Sequence, residues 1–296
     1  MSASLRHVLE QGPMLRTLGG AALTVLKRSG GSMPPLPGAW VSAEVEPPSS
    51  ALIRAFVKNG GGDPSSYKGI VPAHLFPKWA MPVAHAALDG LPYPLTRIMN
   101  AGFSVTQHRP LPVGERLVVR ARLESVDDDG RRAIVRTRIV TGTATAPDAL
   151  TSEIQVFVPL AKRDAKGERK VAPLAPVHAR EIAFVRFGAR AGLDFAKLTG
   201  DFNPIHWIPA YARASGFRAS ILHGFATVAT AIETITRRTL SGDVRALGSV
   251  TARFTKPLAL PASVGIYLSE SQEFFVANAP GGPAYASGRF TLRGRR

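Results

Sequence analysis

A charged stretch ending in prolines, AKRDAKGERKVAPLAP at 161–176, interrupts the chain near its middle. It cannot bury a face and reads as a linker. On each side of it the same order of periodicities occurs. Before it, FPKWAMPVAHAALDG (76–90) has apolar residues at helical spacing and stops at a glycine. RLVVRARLESV (116–126), RRAIVRTRIVTG (131–142) and LTSEIQVFVPL (150–160) follow, with the alternation and β-branched content of antiparallel strands. DDDG (127–130) marks a hairpin turn between the first two. After the linker come an entering strand (181–189), a short helical turn (193–201) and a longer apolar helix, GFATVATAIETITRRTL (224–240). Strands are expected next at 246–258, 263–271, 272–279 and 284–294. HRPLPVGERLVV (108–119) also resembles FTKPLALPASVGI (254–266), which sets Pro110 and Leu111 against Pro257 and Leu258, 147 residues apart. Two helix-plus-sheet halves of α+β type are therefore expected, joined edge to edge so that unpaired strand edges are covered.

At 296 residues with 45% hydrophobic content, the chain exceeds a typical module of about 100 to 150 residues. The division expected is a leading segment at 1–65, a first half at 66–160, the linker at 161–176 and a second half at 177–296. Within the leading segment, MLRTLGGAALTVLKRSGG (14–31) is read as a helix docked on the body. No stretch reaches the roughly 20 apolar residues of a membrane span, so no integral membrane segment is expected and the location is taken as cytoplasmic. The absence of cysteine excludes disulfides, thiolate nucleophiles and cysteine zinc sites. The net charge of +16 calls for an anionic partner. Nucleic acid is not expected, because the basic residues are dispersed and no recognition motif interleaves them with aromatics.

The chemistry concentrates in TGDFNPIHWIPAYARASGF (199–217), where Asp201 and His206 stand among Phe202, Pro204, Ile205 and Trp207. Taken singly, Asp201 and Asn203 are turn residues and His206 a loop histidine. Taken together, Gly200, Asp201, Asn203, Pro204 and His206 match the pattern [ST]-G-D-x-N-P-[LIV]-H, and Gly224 in LHGF (222–225) follows His206 by 18 residues. On these residues the chain resembles the MaoC-like family of (R)-specific enoyl-thioester hydratases and 3-hydroxyacyl-thioester dehydratases. The resemblance implies a double hot-dog fold, two tandem antiparallel sheets each wrapped around a central helix, with the catalytic residues in the second half.

It further implies that Asp201 and His206 share one water, that Asn203 orients the loop or the water, and that the backbone N–H of Gly224 stabilises the developing enolate oxygen. Arg218, His223, Phe225, Arg253 and Lys256 are the substrate-binding candidates, with His223 also suited to bracing the loop. Some family members carry a helix serine where Ile232 stands here, leaving Thr227 or Thr230 as substitutes. The first half shows no counterpart to GDFNPIH, and His74, His85 and His108 are read as structural. No metal is expected, because the motif supplies no second close histidine, and no cofactor, because water addition is redox neutral. The partner is an acyl thioester of coenzyme A or of acyl carrier protein, and a homodimer is a possible assembly. A hot-dog thioesterase and a non-catalytic acyl-thioester-binding protein remain alternatives.

Overall fold

The computed structural model describes residues 3–12, 33–93, 98–160 and 172–294. The expected helix at 14–31 and most of the linker lie outside them. In the first half, strand β1 (Val41–Val45) is followed by helix α1 (Ser50–Asn59), a 3-10 turn at Pro64–Tyr67, the short strand β2 (Ile70–Val71) and helix α2 (Pro77–Ala86). Strands β3 (Met99–Gln107), β4 (Leu111–Pro112), β5 (Leu117–Asp128), β6 (Arg132–Gly142) and β7 (Leu150–Pro159) complete it. The second half repeats the order. It runs through β8 (Arg180–Phe187), α3 (Ala191–Thr199), a 3-10 turn at Pro204–His206, α4 (Pro209–Ala214), β9 (Ile221–Leu222) and α5 (Gly224–Thr239). It closes with β10 (Leu247–Phe254), β11 (Leu258–Ala259), β12 (Ala262–Leu268), β13 (Glu273–Ala277) and β14 (Ala284–Leu292).

The ten long strands form one sheet in the order β1-β5-β6-β7-β3-β10-β14-β13-β12-β8. Five strands from each half meet at the antiparallel β3–β10 seam, where Phe103 opposes Ala252 and Val105 opposes Val250. This is the expected edge-to-edge junction, and it removes the most exposed pair of backbone edges from water. The sheet wraps around two helices: α2 packs on β1, β5 and β6, and α5 on β8, β10, β13 and β14. Residues Phe225 to Thr236 of α5 are buried throughout, as expected of a helix enclosed on all sides. Full burial of each large apolar side chain, such as Val228 or Ile235, is worth about 1.5 to 3 kcal/mol. Among the described residues no helix is long and apolar enough to cross a membrane.

Two expectations need correction. The first half begins at β1 and not at residue 66, because Val41–Val45 pairs with β5 at the sheet edge and α1 stands where α3 stands in the second half. Strand β3 is absent from the expected strands. Its sequence, MNAGFSVTQ, carries a glycine and only a short alternation, yet it forms the seam.

Candidate functional site

Helix α3 ends at Gly200, whose φ of +85° is the left-handed conformation that glycine adopts without a Cβ penalty, and whose N–H donates to Ala196 O at 2.7 Å. The chain then turns through Asp201, whose Oδ1 accepts the Asn203 N–H at 3.3 Å. Asn203 caps the following 3-10 turn, its Oδ1 accepting the Ile205 N–H at 3.3 Å, and Pro204 occupies the first turn position, where its missing N–H costs nothing. Asn203 thus orients the loop. Trp207 fastens the same loop by donating its indole N–H to Phe202 O at 3.1 Å. Close approach of α3 depends on Gly192, since a Cβ there would lie 2.0 Å from the carbonyl oxygen of His206.

The turn delivers His206 to a buried position with its Nδ1 2.8 Å from the carbonyl oxygen of Ile221. A carbonyl only accepts, so Nδ1 carries the proton and Nε2 keeps a lone pair. Burial lowers the His206 pKa, against the opposing pull of the Asp201 charge and the Ile221 hydrogen bond, so the neutral, basic ring persists into mildly acidic solution.

His223, a substrate-binding candidate also suited to bracing the loop, lies against His206 in the structure. His223 is 2% exposed and faces no open surface where a substrate would lie. Its ring stacks on that of His206 with centroids 3.6 Å apart and planes at 23°. Its Nε2 donates to the main-chain carbonyl of Asp201 at 3.0 Å, and its Nδ1 has no hydrogen-bond partner. Burial, then the neighbouring His206, push its pKa down to about 3. The 3.8 Å approach of its Nε2 to the Asp201 carboxylate is therefore no ion pair, because the ring is neutral at ordinary pH. The signal was present in the sequence as the LHG that precedes the long helix.

One donor atom each from Asp201, His206 and His223 lies within 4.8 Å of the others. The motif therefore does have a second close histidine, brought in from the strand-to-helix junction 17 positions beyond His206. Two stacked imidazoles aim their nitrogen lone pairs within near-parallel planes and not at a common point, which disfavours chelation. A separation of this size is one that a single water spans with two hydrogen bonds of about 2.8 Å.

The residue after His223 opens α5. As at any helix start, the first N–H groups, beginning with Gly224, have no intrahelical acceptor, and the His223 side chain does not cap them. Positive partial charge thus accumulates beside Asp201 and His206. Gly224 cannot be replaced without disturbance, because a Cβ would lie 2.5 Å from the ring of Phe254. Phe254 belongs to an aromatic cluster with Phe225, Phe103 and Phe76, in which Phe225 and Phe254 meet at 5.3 Å and Phe225 and Phe103 at 5.2 Å. Thr227 and Thr230 donate their hydroxyls to His223 O at 3.2 Å and Ala226 O at 3.0 Å, so neither hydroxyl proton is directed at the pair. Arg218 is exposed after α4, and Lys256 is exposed with its Nζ 5.4 Å over the Tyr285 ring. Arg253 is exposed between the inward-facing Ala252 and Phe254, so strand alternation puts it on the outer face of the sheet.

The first half does hold a counterpart in layout. The sequence AFVKNGGGDP before its 3-10 turn parallels DFAKLTGDFNP before the other. Phe56 packs on His74 at 5.3 Å and 39°, as Phe195 packs on His223 at 5.0 Å and 45°. The two phenylalanines meet at 6.1 Å. The chemistry differs. The Asp63 carboxylate is held in an exposed turn by Ser65, at 2.9 Å to its N–H and 2.7 Å to its hydroxyl. Tyr67 ends the turn where His206 ends the other, and His74 Nε2 lies 3.0 Å from Glu233, which reaches across from α5.

Residues 177–274 match the family model described as a MaoC like domain. Residues 177–274 are a MaoC-like domain. The chain is 28% identical over 260 residues to 3-hydroxyacyl-thioester dehydratase X of Mycobacterium tuberculosis, covering 87% of this chain and 88% of that protein. The crystal structure of HtdX from the same organism superposes with a TM-score of 0.69 at 22% identity, over 86% of this chain and 100% of that one. A Mycobacterium tuberculosis protein described as having a double hotdog fold matches with a TM-score of 0.55 at 14% identity, over 86% of this chain and 96% of that one. The fold is a double hot dog. The MaoC-like domain contains Asp201, His206, His223 and Gly224.

The buried pair of rings in the MaoC-like domain has a consequence for stability. An unfolded histidine titrates near 6.5, whereas folded His206 and His223 bind a proton only at lower pH. The unfolded chain therefore binds more protons below about pH 6.5, and stability is lost as pH falls from there toward the folded values. The melting temperature of the wild type is expected to fall between pH 6.5 and 5, above the range in which carboxylates titrate. In His223→Gln that slope should be shallower. Equal slopes by calorimetry would show that the ring is not held neutral.

Proposed function

We propose that the chain catalyses the reversible hydration of trans-2-enoyl thioesters to (R)-3-hydroxyacyl thioesters, the acyl group being carried by coenzyme A or acyl carrier protein. The observation that carries this reading is a neutral His206, whose Nε2 keeps a lone pair, with one of its ring nitrogens within 4.8 Å of an Asp201 carboxylate oxygen, beside the open N-terminus of α5. In the hydration direction a water held between the two loses a proton to the pair as its oxygen attacks C3. The C2–C3 π bond breaks, electron density moves onto the thioester oxygen, and the Gly224 N–H stabilises it. The enolate then collapses as the pair delivers to C2 the proton it took from the water, which returns both groups to their starting protonation. One C–O and one C–H bond form, no electrons leave the system, and no redox cofactor is called for. Dehydration reverses each step. The similarity to a 3-hydroxyacyl-thioester dehydratase over most of both chains supports the same chemistry.

Arg218 and Lys256, exposed and part of a chain of net charge +16, are the proposed contacts for the phosphates of coenzyme A or the acidic face of a carrier protein. Asn203 positions the catalytic loop, and Phe225 supports the aromatic wall that holds Phe254 beside Gly224. The test is addition of purified protein to trans-2-enoyl-CoA substrates of graded length, followed by chiral analysis. The enoyl absorbance should fall and the product should be (R)-3-hydroxyacyl-CoA. Exclusive (S) product, or release of free CoA without hydration, would overturn the assignment, the second outcome in favour of a thioesterase.

A further inference from the structure

The quasi-symmetry of the two halves provides an internal control for His223. His74 and His223 both lie between a short strand and a central helix, His223 directly after β9 and His74 in the 3-10 turn Ala73–Leu75 that follows β2, and each is packed by a phenylalanine at nearly the same distance and angle. That packing is common to both halves and serves the fold. Two features distinguish His223. It stacks face to face on His206 at 3.6 Å, where the ring corresponding to His206, that of Tyr67, meets His74 edge-on at 6.2 Å. It also donates to the main chain of Asp201 at 3.0 Å, whereas His74 faces a carboxylate from the other half.

We infer that His223 is a positioning residue of the reaction: its ring fixes the Asp201 main chain through Nε2–H and the plane of His206 by stacking, and so sets the two members of the pair against one water. This role rests on the hydration chemistry proposed above. A hydrogen bond to the Asp201 carbonyl fixes the backbone from which the carboxylate projects, and the Asn203 N–H then fixes the carboxylate itself. His206 is held at one edge by Ile221 and on one face by His223, which leaves Nε2 a single direction. The stacked ring also keeps water from that face of the imidazole. Charged groups on packed elements include Asp194 and Lys197 of α3, which pair with each other at 3.3 Å and with the N-terminal segment, the exposed Arg213 on α4, and on α5 Glu233, which faces His74, with Arg237 and Arg238 in the last turn. Loss of alignment of about 1 Å between catalytic groups can cost about 10²-fold in rate.

Two variants separate the two contacts. His223→Gln keeps a donor for the Asp201 carbonyl and removes the stacked ring; His223→Phe keeps a ring and removes the donor. In each, kcat for enoyl-CoA hydration is expected to fall about 10-fold to 10²-fold, with KM changed by less than about threefold. In His223→Gln the acid limb of kcat/KM should move to higher pH, because water reaches the His206 ring, while in His223→Phe it should stay in place. His74→Gln should lower the melting temperature and leave kcat and the acid limb as they are. A readout on the wild type needs no variant to fold: ¹⁵N shifts should show His206 protonated at Nδ1 and His223 at Nε2. A His223 proton on Nδ1, or His223 variants that lose only melting temperature with the pH profile unmoved, would overturn the positioning role. A wild type that hydrates no enoyl thioester would overturn the proposed function, a different result from a fully active wild type whose His223 variants are equally active.

Discussion

Asp201→Asn and His206→Ala are each expected to lower turnover by about 10²-fold to 10⁴-fold, the cost of losing a positioned general acid or base. Asparagine preserves the shape of the side chain and can still accept the Asn203 N–H, so the loop should survive the first change. His206→Ala removes the ring between Ile221 and His223 and leaves a small cavity. If the two groups serve one water as a unit, the double variant should be little worse than the worse single variant, because groups that act together are non-additive. The melting temperature of Asp201→Asn should change little or rise, since a partly buried carboxylate retained for chemistry contributes little to folding. A purely architectural turn would behave in the opposite way, with stability lost and turnover per folded molecule preserved. Measuring both quantities on the same preparations decides between the two, and near-normal turnover in Asp201→Asn would remove the proposed mechanism.

Separating the halves should have a comparably large effect. A chain beginning near residue 176 retains Asp201, His206 and Gly224, but it exposes the β10 edge that pairs with β3 from Gly102 to Thr106. It also loses α1, which packs on α3, and the His74 and Tyr67 partners of the buried Glu233. An uncovered strand edge and an uncompensated buried carboxylate are each destabilising. The fragment is expected to aggregate, or to dimerise through β10 against β10, which would restore an antiparallel seam like the present one. Light scattering and turnover on the fragment test this. A monomeric fragment with full activity would show that the first half is dispensable. The same dependence argues that α5 is where the halves are tied together, since one helix carries Gly224 at its start and Glu233 in its middle.

The linear sequence determined the repeated order of helix and strands, the linker and the composition of the catalytic loop. These are local: alternation reports which residues share a strand face, and a glycine, an acid, an asparagine and a proline in close succession fix a turn from their own backbone preferences. Asp201 and His206 were legible for that reason, being five positions apart in one loop. Strand β3 was not legible, because its weak alternation gains meaning only from pairing with β10 and β7. The contact of His223 with His206 was also out of reach, as a ring 17 residues downstream stacks on His206 only when β9 brings Ile221 to the other edge of the imidazole. The start of the first half was misplaced because β1 is short and gains its stability from β5. The carboxylate beside His74 comes from the opposite half, so no pattern within the first half announced it. Periodicity and turn chemistry act over a few residues and survive in a linear reading, whereas stacking, strand pairing and burial are set by groups distant along the chain, which only the closed double sheet brings into contact.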